Sequence, residues 1–195
     1  PKKGKIFYNG RLINNLNAEE RRALGIFSAP EERLGHASCP EMKLSENVLI
    51  TCANTAKLTK YGLIQKRLTE NLTTKIISEF DVRTSGTSAL ASSLSGGNLQ
   101  KFVVGRELLQ NPKLLIINQP TWGVDAAAAR FIRQSIINLA KDGTAVVIIS
   151  QDLDELIEIS DDFTALVGGK ISEPIKMSEL KLKVNGEMMS GISND

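Results

Sequence analysis

Hydrophobic and polar positions near the amino end of the chain predict short elements separated by turns. Residues 5–8 alternate in polarity before Asn9-Gly10, which predicts a strand that ends in a tight turn. Asn17 is followed three residues later by Glu20, a spacing that predicts a helix start with a reciprocal capping box. We therefore expect a strand, a turn and a helix within the first part of the chain.

A longer helical region is predicted after a short apolar strand. Residues 24–28 predict that strand, which runs into the charged loop Ala-Pro-Glu-Glu-Arg at residues 29–33. Residues 45 to about 80 follow a helical pattern with few strand signals, and Ser45 stands where a cap is expected. Residues 83–93 are rich in Ser, Thr, Gly and Ala, which predicts a loop that separates this region from the next.

The clearest pattern is a strand, a helix and a strand in the second half of the chain. A helix is predicted over residues 98–110, before Asn111-Pro112. Residues 114–117 and 145–149 are continuous apolar runs, typical of strands buried on both faces of a parallel sheet. A helix predicted at residues 126–140 connects them. This spacing predicts a βαβ unit with parallel strands, and therefore an α/β fold.

The pattern continues past this unit and then fades. A helix is predicted at residues 153–159, and two short strands are predicted at residues 164–167 and 170–172. The polar tail after Pro174 carries no pattern that predicts a structure.

Composition excludes several classes of protein. The 195 residues are 42% hydrophobic and 24% charged, the balance of a globular protein, and the net charge of +2 gives no global field that favours nucleic acid. Cys39 and Cys52 are too far apart in sequence for a metal pair, and there is one histidine, so neither a disulfide framework nor a zinc site is expected. No apolar run has membrane-spanning length, so any membrane association is expected through a partner.

The strongest chemical pattern is Leu-Ser-Gly-Gly-Asn-Leu-Gln-Lys at residues 94–101. Gly96 and Gly97 allow the backbone to approach a ligand closely near the start of a predicted helix. The free N–H groups at that helix start and the hydroxyl of Ser95 are hydrogen-bond donors. Together these groups predict a cradle for a terminal phosphate. A plain capping loop explains Ser-Gly-Gly alone, but it does not explain the motifs that accompany it.

With those motifs, the sequence resembles the ATP-binding proteins of ABC transporters. The asparagine form of the signature is typical of importers for simple sugars and nucleosides. The matched stretches are spread over residues 1 to about 172. Three stretches besides the signature resemble the second nucleotide-binding domain of that subfamily: residues 81–84 (Asp-Val-Arg-Thr), 119–125 (Gln-Pro-Thr-Trp-Gly-Val-Asp) and 150–155 (Ser-Gln-Asp-Leu-Asp-Glu).

The resemblance implies a fold and a division of the chain. The fold would be the ABC-type, RecA-like α/β fold of P-loop NTPases, lacking its P-loop strand and carrying an inserted helical subdomain. The implied parts are a β-rich portion with the Q-loop at residues 1–44, the helical subdomain at 45–93, a core with signature, Walker B, D-loop and switch region at 94–173, and a tail at 174–195.

The resemblance also implies roles for individual residues. Glu31 stands at the Q-loop position, which links the nucleotide site to the transmembrane subunits, and Asp125 matches the D-loop aspartate at the dimer interface. The signature residues would contact ATP that is held by an opposite domain: Ser95, Gly96, Gly97 and Gln100.

The P-loop pattern Gly-x-x-x-x-Gly-Lys-Ser/Thr does not occur in the sequence. Both Gly-Lys pairs, at residues 4–5 and 169–170, are followed by isoleucine and lack the upstream glycine. Residues 1–6 resemble the Pro-x-x-Gly-x-Ile that follows the P-loop helix in the family, and the chain opens on Pro1 rather than Met. We therefore expect an excised segment whose P-loop lies upstream.

Three positions carry amides where the family has ionisable groups. Asn118 and Gln119 replace the Walker B aspartate and glutamate, and Gln151 replaces the switch histidine. An amide binds Mg²⁺ weakly and cannot accept a proton at neutral pH. These catalytic positions are therefore expected to be degenerate, with no metal ligand of their own. Engineered substitution is an alternative, but the sugar and nucleoside importers often carry Gln-Pro-Thr here.

The resemblance as a whole implies the energy-coupling component of an importer at the cytoplasmic face of the cell membrane. ATP and Mg²⁺ would be used through a partner domain's site, and the fragment alone would lack ATPase activity. Implied partners are a first nucleotide-binding domain or second copy, the permease subunits and, indirectly, a solute-binding protein, with no nucleic acid.

Two other functions remain open at this stage. One is an ABC-type ATPase that acts on nucleic acid or ribosomes, although no coiled-coil insertion or strongly basic stretch supports it. The other is an interaction module with no role in nucleotide binding.

Overall fold

The computed structural model describes residues 3–179 and divides the chain into two compact units, one ending at Ile149 and one beginning at Ser150. The predicted boundaries after residues 44, 93 and 173 remain predictions, and residues 180–195 of the predicted tail lie outside the described residues. The elements of the first unit are β1 (Phe7–Tyr8), β2 (Arg11–Leu12), α1 (Ala18–Ala23), β3 (Ile26–Ala29), α2 (Leu44–Cys52), β4 (Thr59–Lys60), β5 (Leu63–Ile64), α3 (Lys66–Glu79), a 3₁₀ turn (Ala91–Ser93), α4 (Gly96–Leu108), β6 (Leu114–Asn118), α5 (Ala126–Lys141) and β7 (Ala145–Ile149).

The centre of the first unit is a three-stranded sheet in the order β3-β6-β7, and both pairs of strands are parallel. The predicted βαβ unit is therefore confirmed as β6, α5 and β7. The register pairs Ile117 with Ala29 on one side and with Ile148 on the other. Since parallel strands end at the same edge, the segments that follow β3 and β6 emerge side by side.

One face of this sheet forms the core. Leu115 and Ile117 are fully buried in a cluster that includes Phe102 of α4 and Ile132 and Ile136 of α5. Burying each of these side chains contributes about 1.5–3 kcal/mol. The alternation along β6 places Leu115 and Ile117 on that face, and α4 and α5 cover it.

The prediction that β6 and β7 are buried on both faces is wrong. Val147 and Ile149 on β7 are 48% and 51% exposed, and Ile116 on β6 is only partly buried. Among residues 3–179, no strand pairs with the outer edge of β7. An apolar run shows that the residues of a strand are hydrophobic, but it does not show which other elements cover each face of the sheet.

The helical region after β3 differs from its prediction in two respects. A short antiparallel hairpin of β4 and β5 interrupts it, with left-handed backbone at Lys57 and Tyr61. The cap position of α2 is Lys43 rather than Ser45, and the Lys43 N–H donates to the Glu46 carboxylate at 2.8 Å. The capping box at Asn17 and Glu20 is confirmed, with both bonds present.

Helix α4 is held firmly by its neighbours. Glu107, fully buried, accepts hydrogen bonds from Arg22 of the α1 region at 2.6 Å and from Arg106 at 2.8 Å. At Gly105, an added Cβ would lie 2.5 Å from the ring of Phe80, which packs edge-on against Phe131. These contacts fix the helix whose amino end carries the signature.

The second unit contains α6 (Leu153–Ile159), β8 (Asp162–Phe163), β9 (Leu166–Val167), β10 (Lys170–Ile171) and β11 (Ile175–Lys176). The antiparallel pairs are β8 with β11 and β9 with β10. The helix at residues 153–159 is confirmed, and β9 and β10 fall within the two predicted strands.

Candidate functional site

The signature forms an exposed tip at the amino end of α4. Ser95 is the N-cap with extended backbone, and the helix begins at Gly96, two residues earlier than predicted. Ser95 and Gly96 are exposed and Gly97 is partly buried. The first backbone N–H groups of a helix have no partner within it, so they and the serine hydroxyl can donate to a ligand at the tip.

Packing inside the chain limits the space beside both glycines. A Cβ on Gly97 would lie 2.8 Å from the carbonyl oxygen of Gly123, in the loop after β6. A Cβ on Gly96 would lie 2.9 Å from Arg33 Nη1. The signature tip is therefore packed closely against two other segments, and only the outward side of the tip is open.

Asn98 connects this tip to the predicted subfamily motif at residues 81–84. Its Oδ1 accepts from the backbone N–H of Arg83 at 2.9 Å, and its Nδ2 donates to Ser95 Oγ at 2.9 Å. One turn further along α4, the ammonium group of Lys101 bonds to the backbone carbonyl and carboxylate of Asp81.

The predicted Walker B positions lie where β6 ends. Asn118 is the last residue of the strand, and Gln119 has left-handed backbone, with φ 52°. The Gln119 N–H donates to the carbonyl of Ile149 at 2.8 Å, and the residue is 7% exposed. The loop that follows this turn approaches the signature at Gly123.

Glu31 lies beside Asn118, as the parallel register requires. The Asn118 amide faces the exposed Glu31 carboxylate, with Nδ2 3.5 Å from Oε2. Both residues line an open cleft of about 670 Å³ that Arg33 and Trp122 also line. The structure thus brings together the predicted Q-loop and Walker B positions, which are 87 residues apart in the sequence.

Sequence reasoning missed Arg33, which joins three segments at this site. Its Nε donates to Gln100 Oε1 at 2.8 Å, its Nη1 to the Gly96 carbonyl at 3.2 Å, and its Nη2 to the Trp122 carbonyl. Burial lowers the pKa of Arg33 and the Glu31 carboxylate raises it, and a guanidinium remains charged at neutral pH. Its partners are 63 to 89 residues away in sequence, so no local pattern points to it.

Gln100 does not have the geometry expected of a nucleotide contact. It is 3% exposed, and its Nε2 donates to the carbonyls of Gln119 at 3.0 Å and Pro120 at 2.8 Å. Its oxygen is bonded to Arg33. These bonds hold the loop after β6 against α4, and the predicted contact of Gln100 with ATP stays a prediction.

Asp125 is exposed and caps α5. Its Oδ1 accepts from the backbone N–H of Ala128 at 2.9 Å, and this bond is the main reason that the pKa of Asp125 lies below its usual value. The carboxylate is therefore ionised at neutral pH. Its predicted place in a dimer interface stays a prediction.

Gln151 belongs to the second unit, where it is exposed. It stands directly before Asp152, the N-cap of α6, whose Oδ1 accepts from the Glu155 N–H at 3.1 Å. The role of Gln151 as a switch position stays a prediction.

Residues 3–179 contain neither a cluster of metal-ligating side chains nor a membrane-spanning helix. No group of three or more His, Cys, Asp or Glu side chains is arranged to hold a metal ion in this part of the chain. Of the helices that the structure describes, none combines the length and the apolar character that crossing a membrane requires.

Comparison with known proteins gives relatives by sequence and solved structures of the same fold, although no protein-family model matches the chain. The guanosine import ATP-binding protein NupO of Bacillus subtilis (strain 168) is 32% identical over 96% of this chain and 37% of its own length. The galactose/methyl galactoside import ATP-binding protein MglA of Escherichia coli (strain K12) is 36% identical over 87% of this chain and 33% of its own length. The chain thus spans about a third of the length of these relatives.

The solved structure of the ATP-binding cassette MJ0796 in a dimeric post-hydrolysis state has the same fold, with a TM-score of 0.74 over 91% of this chain and 75% of that one. Its sequence is 19% identical, so it shows the fold alone. A nucleotide-free cassette of another ABC transporter gives a TM-score of 0.68 at 22% identity over 98% of this chain and 78% of that one. The predicted ABC-type α/β fold is confirmed, and the sequence relatives of the chain are import ATP-binding proteins of ABC transporters.

Proposed function

We propose that the chain supplies the signature to ATP bound in an opposite nucleotide-binding domain of an ABC importer. The observation that carries this proposal is the exposed tip of Ser95 and Gly96 at the start of α4, within a signature typical of the family. The tip offers a hydroxyl and backbone N–H groups outward, which fits the oxygens of a terminal phosphate. The names of two relatives, a guanosine import protein and a galactose/methyl galactoside import protein, support a nucleoside or simple sugar as the imported solute.

The chain's own Walker B positions do not fit Mg²⁺. Asn118 offers a neutral amide whose N–H side faces Glu31, and Gln119 is almost fully buried. The sequence contains no P-loop to hold the β- and γ-phosphates. We therefore assign ATP and Mg²⁺ to the partner domain's site, and to this chain a site with little or no turnover.

In this proposal, ATP binding is coupled to transport through the permease subunits, at the cytoplasmic face of the membrane. The Glu31 loop and the helical region containing α2 and α3 would contact them. Arg33 bonds the loop that carries Glu31 to the signature tip, so closure over ATP at the tip can move that loop.

The first test measures ATP hydrolysis by the 195-residue chain alone. We expect no activity above background, because the chain lacks a P-loop and the acidic Walker B residues. Circular dichroism with a cooperative unfolding transition must show that the purified chain is folded. Turnover that persists through purification would contradict the assignment of catalysis to the partner domain.

The second test uses the assembled transporter that contains this chain. Ser95→Ala removes one hydrogen-bond donor from the tip and should lower ATP hydrolysis and transport about tenfold or more. Ser92→Ala, the same change at an exposed position three residues upstream, is the matched control. Equal activity of Ser95→Ala and the control would reject the signature role and favour an interaction module.

A further inference from the structure

We propose that Asn98 is a positioning residue that turns the hydroxyl hydrogen of Ser95 outward, toward the ligand. This inference rests on the proposed function of the signature and adds a residue to it. It follows from the direction of two hydrogen bonds that join the backbone of Arg83, the side chain of Asn98 and the hydroxyl of Ser95.

The first bond fixes the orientation of the Asn98 amide. The backbone N–H of Arg83 can only donate, so the Asn98 atom that faces it at 2.9 Å must be the acceptor Oδ1. The amide group then presents its NH₂ to Ser95. The orientation therefore follows from the network and does not depend on distinguishing nitrogen from oxygen.

The second bond makes the oxygen of Ser95 an acceptor on the side that faces Asn98. Asn98 Nδ2 has only hydrogens to offer, so Ser95 Oγ, 2.9 Å away, accepts on that side. The backbone N–H of Asn98 lies on the same side, 3.5 Å from Oγ. The hydroxyl hydrogen of Ser95 consequently cannot point into the chain along either contact.

This hydrogen remains available for an outside acceptor. Within residues 3–179, the Ser95 hydroxyl donates no hydrogen bond, and the residue is exposed at the tip. Phosphate oxygens accept hydrogen bonds and, when ionised, cannot donate. A hydroxyl already oriented as a donor avoids the cost of reorienting when phosphate arrives.

The chemistry explains why an amide suits position 98. An aspartate would keep an oxygen for the Arg83 N–H, but it would place a second oxygen where Nδ2 now stands. That oxygen would accept the Ser95 hydrogen and reverse the bond, and its charge would repel phosphate. Asn98 therefore accepts the hydrogen bond of the Arg83 N–H and also donates to Ser95 Oγ, so that the serine hydrogen points outward.

A double-mutant cycle on the assembled transporter tests the inference, with ATP hydrolysis measured against ATP concentration. Ser95→Ala should lower kcat/KM about tenfold, and Asn98→Ala about threefold to tenfold, because the freed hydroxyl can rotate away. In the Ser95→Ala background, Asn98→Ala should cost less than about twofold further. Thermal unfolding of each variant supplies the folding control, and Ser92→Ala supplies the unaffected reference.

The outcomes separate the two proposals. Loss in Ser95→Ala with no loss in Asn98→Ala, or with fully multiplicative losses, would overturn the role of Asn98 and leave the signature role standing. No loss in Ser95→Ala would overturn the proposed function itself. Should Asn98→Ala not fold, Asn98→Asp keeps the acceptor for Arg83 and should lower kcat/KM more than tenfold, and wild-type kcat/KM in that variant would reject the inference.

Discussion

Two adjacent glycines of the signature have different constraints, although both stand in the first turn of α4. Beyond Gly96 lies the end of the flexible Arg33 side chain, and beyond Gly97 lies the backbone carbonyl of Gly123. A side chain can move aside at little cost, whereas a backbone carbonyl in a packed loop cannot. The position of each glycine, and not the motif as a whole, therefore decides the effect of adding a methyl group.

We expect Gly97→Ala to lower the free energy of unfolding by about 1–2 kcal/mol, since overpacking exceeds the gain in helix propensity. Gly96→Ala should remain within about 1 kcal/mol of wild type, because Arg33 can shift. Chemical denaturation of the chain measures both, and each variant is the control for the other. Equal losses of stability in the two variants would show that the Gly123 carbonyl does not limit the size of the side chain at position 97.

Cys52 is a second residue whose environment sets a measurable property. It ends α2, is fully buried and has Thr51 Oγ1 3.7 Å from its sulfur. Burial raises the pKa of the thiol from 9.0 to about 11. Since ionisation is easier in the unfolded chain, the stability that the neutral thiol contributes is present below pH 9 and is lost as pH rises toward 11.

The unfolding free energy of wild type should therefore fall with pH faster than that of Cys52→Ala. The difference between the two should change by about 1.4 kcal/mol per pH unit at most within that window. Urea unfolding at a series of pH values measures it, and lysine and tyrosine titrations common to both proteins cancel. Parallel pH profiles would contradict the raised pKa.

At the scale of elements, the site depends on contacts between loops that follow different strands. Gln100 on α4 bonds the loop after β6, and Arg33 in the loop after β3 bonds both Gln100 and the signature. The parallel register of β3 and β6 brings these loops to the same edge. The side chains of Gln100 and Arg33 then fix the distance between these loops and α4.

Gln100→Leu should lower the free energy of unfolding by about 2–4 kcal/mol, since it leaves the carbonyls of Gln119 and Pro120 and the Arg33 Nε without their partner. Gln134→Leu, on the exposed face of α5, is the matched control and should change stability by less than about 0.5 kcal/mol. Similar losses in both variants would show that the Gln100 bonds do not contribute to stability.

Elements with strong local signals could be predicted, and those set by distant contacts could not. The strands at 114–118 and 145–149 and the capping box at Asn17 follow from continuous apolar runs and from a spacing of three residues. The hairpin of β4 and β5 has two residues per strand, too few for periodicity to appear. The role of Arg33 depends on partners brought close only by the fold.

At the scale of the molecule, the sheet of the first unit presents an uncovered side. The outer edge of β7 has no strand partner among the described residues, and Val147 and Ile149 are half exposed. An unpaired apolar edge is a template for pairing with another chain. We expect the 195-residue chain alone to self-associate through β7 at raised concentration.

Val147→Lys should shift the chain toward the monomer, because a charged side chain on an edge strand opposes pairing. Light scattering after size-exclusion chromatography measures the mass. Ala140→Lys adds the same charge at an exposed position of α5 and should leave the association unchanged. A monomeric wild-type chain at high concentration would contradict the expectation.

The close approach of Gly97 to Gly123 also limits how these proteins can diverge or be redesigned. A signature transplanted from another cassette carries helix-start residues selected against a different opposing loop. Residues 95–97 and 121–124 should therefore be exchanged together, since a bulkier residue in one segment requires the backbone of the other segment to move away. Chimeras that swap both segments should keep the tip outward more often than chimeras that swap only the signature.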